Sequence, residues 1–241
     1  FHDFDLPEAI MHAVDDCGFK YCTPIQALAL PPALAGRDVA GQAQTGTGKT
    51  AAFLIASMTR FIRNPRTAPV PTATPRALII APTRELAIQI ERDAHGLEYH
   101  SHVSSCVVFG GMDYNRQKDE LRRLPVDILV ATPGRLLDFV RSGDVHLDKV
   151  EVLIIDEADR MLDMGFIPDV RSIIRRLPPR ERRQTLLFSA TLSGDIMRLA
   201  AQWMCDAVRV EVAAEKVTVD TVDQIVYTIG SHQKFNLLYN I

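Results

Sequence analysis

Ala43-Gln44-Thr45-Gly46-Thr47-Gly48-Lys49-Thr50 follows a predicted strand at residues 37–40 and opens a segment of helical pattern. Glycines let the backbone turn so that successive N–H groups face an anion. The helix that follows presents its N-terminus to the same anion. Lys49 then reaches β- and γ-phosphates, and the Thr50 hydroxyl can ligate Mg²⁺. Ala43 stands where a first glycine is common in such loops. A plain turn with a solvated lysine needs neither the strand before nor the helix after. Gly46-Thr47-Gly48-Lys49-Thr50-Ala51 also fits the dinucleotide pattern G-x-G-x-x-A. That pattern expects a ribose-binding acid about 20 residues on, yet no Asp or Glu occurs between Thr50 and Glu85.

Working outward, short β-branched runs recur at residues 37–40, 77–81, 105–109, 128–131, 150–155, 185–188 and 208–212. Helix-like segments separate them, for example 86–95, 135–140 and 168–177. Alternating strands and helices predict an α/β domain with a mostly parallel sheet sandwiched by helices. The runs read as largely apolar stretches, as expected for strands covered on both faces. Residues 64–75 hold four prolines and read as an exposed extended loop. An irregular stretch at 213–221 reads as an interdomain linker after a first domain at 1–212. A strand pattern at 224–229 and a helical one at 233–241 then read as the opening of a second domain at 222–241.

Polar clusters sit immediately after the apolar runs, at 41–50, 82–85, 110–111, 132–135, 156–159 and 189–191. Open parallel sheets bind ligands at the carboxyl ends of their strands. The clusters are therefore expected to converge on one edge. Val152-Leu153-Ile154-Ile155 runs straight into Asp156-Glu157-Ala158-Asp159. An apolar strand ending in Asp suits a carboxylate that holds Mg²⁺, partly through water. Glu157 suits a general base that orients an attacking water. Acids also favour helix N-termini without any catalytic role.

Gly18-Phe19-Lys20-Tyr21-Cys22-Thr23-Pro24-Ile25-Gln26 precedes the phosphate loop. Thr23 at N-cap, Pro24 at N1 and Gln26 at N3 form a capping box. The Gln26 amide, a donor and an acceptor, can equally pair with an adenine edge, with Phe19 stacked on the base. Both readings stand on sequence alone. Thr83 before Arg84, and Thr132 with Pro133, mark two further helix starts. With Gly110-Gly111 they can take phosphates in a row, through backbone and without reading bases. Arg84 and Arg135 are equally compatible with ordinary surface ion pairs.

The chain has 241 residues, 47% hydrophobic, with a formal net charge of -3. That balance disfavours coating nucleic acid by bulk charge and allows a local phosphate track. The cysteines Cys17, Cys22, Cys106 and Cys205 form no C-x-x-C pair, so zinc or a disulfide framework is not expected. A reducing, cytoplasmic setting fits. No apolar run approaches the roughly 18 residues of a membrane span, and no export leader opens the chain. The opening Phe1 points to a piece of a longer protein.

Taken in order, the clusters resemble the motifs of DEAD-box RNA helicases. Residues 18–26 resemble the Q motif and 43–50 motif I. Pro82-Thr83-Arg84-Glu85-Leu86 is similar to motif Ia, Gly110-Gly111 to the GG motif and Thr132-Pro133-Gly134-Arg135 to motif Ib. Asp156-Glu157-Ala158-Asp159 spells the family's signature, and Ser189-Ala190-Thr191 resembles motif III.

The resemblance implies a RecA-like P-loop NTPase domain that uses ATP and Mg²⁺. It implies adenine recognition by Phe19, Tyr21 and Gln26, with Phe1 as the upstream aromatic. Thr45, Gly46, Thr47, Gly48, Lys49 and Thr50 would hold the nucleotide. Lys49, Asp156 and Glu157 would be catalytic, with Thr50 and Asp156 toward the metal. Pro82, Thr83, Arg84, Gly110, Gly111, Thr132, Pro133, Gly134 and Arg135 would contact RNA backbone. Asp159, Ser189 and Thr191 would couple the two sites. Cys22 departs from the proline common there in the family. The run from Cys22 to Pro31 looks like a bacterial branch that works with the endoribonuclease of the RNA degradosome. The family completes its ATP site with arginines of a second domain, so this chain alone is expected to turn ATP over slowly. An RNA-dependent ATPase and a nucleotide-controlled RNA clamp are the two functions the resemblance implies.

Overall fold

The computed structural model describes residues 1–69, 71–123, 125–212, 225, 227–230 and 233–240. Among the described residues seven strands are present: β1 Val39–Gln42, β2 Ala77–Ile80, β3 Ser105–Val108, β4 Ile128–Ala131, β5 Val152–Ile155, β6 Gln184–Ser189 and β7 Val208–Glu211. Each overlaps a predicted run, although β1 and β5 each start two residues later than expected. They form one sheet in the order β3-β4-β2-β5-β6-β1-β7, and every pairing is parallel.

The helices are α1 Glu8–Asp16, α2 Pro24–Leu34, α3 Lys49–Arg63, α4 Arg84–Glu98, α5 Tyr114–Arg123, α6 Pro133–Arg141, α7 Ala158–Asp163, α8 Ile167–Ile174, α9 Gly194–Trp203 and α10 Lys234–Asn240. They cover both faces of the sheet, and strand alternation divides the core accordingly. Ala77, Ile79, Val152 and Ile154 face one cluster, with Ile55, Phe53 and Ile90 of α3 and α4. Leu78, Ile80, Leu153 and Ile155 face the other, with Leu136, Phe139 and Val170 of α6 and α8. β2, β4, β5 and β6 are buried along their whole length. That explains why β2, β4 and β5 are apolar without a break, whereas β6 buries Gln184, Thr185 and Ser189 beside its apolar centre.

The expected linker at 213–221 lies outside the described residues. Within 224–229 the described residues, Ile225 and 227–229, carry no strand. The helix expected at 233–241 is present as α10.

A parallel sheet sends every post-strand loop to the same edge, so all six polar clusters emerge side by side. The strand order also sorts them. The loops after β3, β4 and β2 are neighbours, and so are those after β5, β6 and β1.

Candidate functional site

The loop between β1 and α3 carries Gly46 at φ +81° and Gly48 at φ +90°, and α3 begins at Lys49. Gly48 is required twice over. Its backbone is left-handed, and a Cβ there would lie 2.5 Å from Gln26 Nε2. The Lys49 side chain is only 6% exposed. Its ammonium donates to the Ala43 carbonyl at 2.9 Å and stands 4.0 Å from Asp156 Oδ1.

Asp156 directly follows β5. Burial pushes its carboxyl up to about 6, against the pull of Lys49 and of the Glu157 N–H. A cation and an acid are thus brought together out of solvent, where their interaction is little screened. Glu157 takes a left-handed backbone, φ +50°, at a cost of about 1–2 kcal/mol. Its N–H donates to Asp156 Oδ1 at 2.9 Å. Its carboxylate accepts from Thr45 Oγ1 at 3.3 Å and from Arg160 at 3.2 Å.

These groups line one cleft of about 590 Å³, with Phe19, Tyr21, Gln26, Gly46, Gly48 and Thr50 on its walls. Tyr21 is 87% exposed. Thr47 does not line the cleft; its hydroxyl donates back to the Gln44 carbonyl at 2.7 Å. Gln26 is buried. Its Oε1 accepts from the Thr23 N–H at 2.9 Å, and its Nε2 donates to the Gly48 carbonyl at 3.1 Å. Gln26 therefore caps α2 and ties that helix to the phosphate loop. An amide carries two donor hydrogens and two lone pairs, so one of each remains. Thr23 Oγ1 is buried with no hydrogen-bond partner. The Phe19 ring lies 6.3 Å from the buried Phe1 ring, 26° between planes.

The flank of α4 completes the cleft with Leu86, Gln89, Arg92, Asp93, Gly96 and Leu97, and Cys17 joins them. Sequence reasoning has Leu86 only as the end of the motif Ia run and misses the others as walls of the cleft. Their signal was present as the helical spacing Leu86, Gln89, Asp93, Gly96, hidden by mixed polarity. The same helix begins at Arg84, directly after the loop that follows β2, so one element carries both Arg84 and a wall of the cleft.

After β5 and β6, Asp159 gathers three groups. Its N–H donates to Ser189 Oγ at 3.2 Å, and its Oδ2 accepts from Thr191 N–H at 3.1 Å and Thr191 Oγ1 at 3.4 Å. The sequence separates these residues by about thirty positions; the β5–β6 pairing brings them together.

The loops after β3, β4 and β2 form a second track. Thr83 caps α4, accepting from the Leu86 N–H at 3.3 Å. Thr132 holds the N-cap position of α6 before Pro133, but its hydroxyl makes no cap bond. Pro82 and Pro133 are buried, while Gly110, Gly111 and Gly134 are exposed. The Arg84 guanidinium lies 5.1 Å from the Phe109 ring centre. Arg135 donates to the Met112 carbonyl at 2.8 Å. Buried Gln117, not anticipated from sequence, grips Phe109 through both backbone groups, at 2.9 and 3.0 Å.

An all-parallel sheet with a phosphate loop set against a buried acid after β5 defines a P-loop nucleotide-binding domain of RecA-like architecture. A family profile described as DEAD/DEAH box helicase matches residues 23–199, and the chain belongs to that family. It is 55% identical over 241 residues to "ATP-dependent RNA helicase RhlB" of Pseudomonas aeruginosa (strain UCBPP-PA14), covering all of this chain and 61% of the relative. It is 54% identical to the protein of that name from Pseudomonas putida (strain KT2440), with the same coverage. The namesake of Xanthomonas oryzae pv. oryzae is 48% identical over 242 residues, 42% of its length. The chain thus spans about three fifths, or less, of these relatives. Among the described residues no helix is long and apolar enough to cross a membrane.

Proposed function

We propose that this chain is the ATP-binding domain of an ATP-dependent RNA helicase, coupling nucleotide turnover to sequence-independent RNA binding and local duplex separation. The observation that carries the reading is the approach of Lys49 Nζ to Asp156 Oδ1, 4.0 Å, inside the cleft that the phosphate loop lines.

In this reading Phe19, Tyr21 and Gln26 receive adenine, using the donor and acceptor that Gln26 retains. Thr45, Gly46, Thr47, Gly48, Lys49 and Thr50 hold the phosphates. The donor set suits Mg²⁺. Asp156 is one buried carboxylate, Thr50 adds a hydroxyl, and among the described residues no cluster of three acids, histidines or cysteines competes. Mg²⁺ is typically held by one or two protein groups plus waters and phosphates. When bound, it would neutralise charge on the phosphates. Lys49 leaves the Ala43 carbonyl for the γ-phosphate. Glu157 takes the proton of the attacking water. Asp159, Ser189 and Thr191 relay nucleotide state to the RNA track. There Pro82, Thr83, Arg84, Gly110, Gly111, Thr132, Pro133, Gly134 and Arg135 meet RNA backbone. The first-turn N–H groups of α6, which Thr132 leaves uncapped, suit a phosphate.

Residues 1–212 form the first domain, 213–221 a linker and 222–241 the opening of a second. The exposure of Phe235, Leu238 and Tyr239 on α10 supports this. Residues from that second domain complete the ATP site. We place the protein in cytoplasmic RNA turnover, beside the degradosome endoribonuclease. The run from Cys22 to Pro31 and the relatives named RhlB support that placement.

The test is ATPase activity of the full-length protein with and without RNA, beside Lys49→Ala. RNA-stimulated turnover that disappears in the variant is expected. Turnover indifferent to RNA, or ATP affinity unchanged by Lys49→Ala, overturns the reading.

A further inference from the structure

Tyr114 opens α5 directly after the exposed glycine turn, and its ring stacks on Phe139 of α6 with centres 4.4 Å apart and planes at 22°. The Arg135 guanidinium lies over both rings, 5.8 Å from Tyr114 and 5.9 Å from Phe139. One arm of Arg135 is fixed by the Met112 carbonyl. Its other terminal nitrogen is buried without a hydrogen-bond partner. The guanidinium is therefore oriented jointly by the Met112 carbonyl and by the aromatic pair, which lies within the about 6 Å at which cations seat on rings.

The platform is itself held. Tyr114 OH donates to Asp144 Oδ2 at 2.8 Å and lies 2.6 Å from Ser142 Oγ. Ser142 Oγ donates to the same carboxylate at 2.8 Å. Lys118 reaches Asp144 Oδ1 at 2.8 Å and Arg122 at 3.4 Å. The Asp144 side chain is 9% exposed. Burial alone would raise its carboxyl, but hydrogen bonds from Lys118, Ser142 and Tyr114 hold it at about 2. It is a fixed anion, and it joins α5 to the end of α6.

We propose that Tyr114 and Asp144 form a latch that positions Arg135 for the RNA backbone. Neither touches RNA; both are positioning residues that act through Arg135. The inference rests on the RNA-binding reading above. Its physical logic is pre-organisation: a long side chain held in its bound geometry loses less freedom on binding. Tyr114→Phe keeps the ring and the stack but cuts the tether to Asp144, so the platform loses its fixed azimuth while the fold keeps its core.

The experiment uses the full-length protein. RNA-stimulated ATPase is titrated with single-stranded RNA for the parent, Tyr114→Phe, Asp144→Asn, Arg135→Ala and the double variant Tyr114→Phe/Arg135→Ala. The RNA concentration at half-maximal stimulation should rise about 3- to 10-fold in each single latch variant, a size typical of coupled neighbours. KM for ATP and kcat at saturating RNA should be unchanged. In the Arg135→Ala background, Tyr114→Phe should add nothing. An effect of Tyr114→Phe that persists at full size in that background overturns the latch, as does a change in KM for ATP of the same size. If Arg135→Ala itself leaves the RNA titration unmoved, the RNA role of Arg135 fails instead. Asp144→Asn guards against a null from a tyrosine held by packing alone. A parental RNA titration in both latch variants, beside a weakened Arg135→Ala, ends the proposal.

Discussion

Thr45 Oγ1 donates to Glu157 Oε1 at 3.3 Å, a bond between side chains 112 positions apart. It joins the phosphate loop to the acid that follows β5. Glu157 is thereby aimed into the cleft while its backbone sits in a strained left-handed conformation. Strain of this kind persists only where neighbours over-determine it. Here Thr45, Arg160 and the bond from the Glu157 N–H to Asp156 do so.

Glu157→Gln keeps an oxygen for Thr45 but loses the ability to take a proton. ATP affinity should stay near parental, while RNA-stimulated turnover of the full-length protein falls by about 10²- to 10⁴-fold. Equilibrium nucleotide binding beside steady-state ATPase measures both, and a variant that turns over normally removes the base assignment.

The two loop glycines should not be equivalent. Gly46 has open space where a Cβ would go, so Gly46→Ala meets only the left-handed backbone cost. That is about 1–2 kcal/mol, or roughly 2–8 °C in Tm for a chain of this size. Gly48→Ala meets the same cost and a collision with Gln26 Nε2, so its Tm should fall further and its ATP-induced Tm shift should vanish. Thermal unfolding with and without ATP decides; equal losses at both positions contradict the packing described.

Asp144 gives a pH signature. Its folded value, about 2, lies below the ordinary 3.8. The stability it contributes is therefore complete above the ordinary value and is lost as pH falls through about 2. Allowing for solvent screening, the contribution is on the order of 1 kcal/mol. Urea unfolding over that acid range should show a steeper loss in the parent than in Asp144→Asn. Superimposable acid profiles would count against the fixed anion.

Arg76 tests the opposite rim of the sheet. It is 7% exposed, paired to Glu151 at 2.6 Å, and seated over Phe61 at 4.2 Å. Burial would raise the Glu151 carboxyl, but Arg76 and Arg60 hold it low. Arg76→Ala leaves that acid with Arg60 alone. We expect a loss of about 2 kcal/mol, discounted from fully buried pairs because Glu151 is a third exposed. Nucleotide affinity should be unaffected. Urea denaturation and ATP binding together check this; a loss of ATP affinity would mean the rim reaches the site.

Much of this architecture is legible in the sequence because strand period and loop chemistry are local. Val152-Leu153-Ile154-Ile155 is apolar throughout since both sheet faces are covered, and the acid after it has to emerge at the sheet edge. The phosphate loop is likewise written in consecutive residues. Strand order is not local. Nothing in the chain states that β2 lies between β4 and β5, which is what separates the nucleotide loops from the second track. The α4 flank was missed because Gln89, Arg92 and Asp93 look like ordinary solvated residues until α1 and the phosphate loop face them. Gln117 and Asp144 were missed for a related reason: each acts on a partner in another element. Gln26 was readable in two ways, and its two hydrogen bonds show how one amide can cap a helix and still keep donor and acceptor capacity.

Every strand pointing the same way has one more consequence. One rim is crowded with six short polar loops, whereas at the rim beneath it the described residues lead into the strands and hold the Arg76–Glu151 pair. A change of length in the connections at that lower rim, made away from the ion pair, is therefore set apart by the full height of the sheet from the spacing of the loops above.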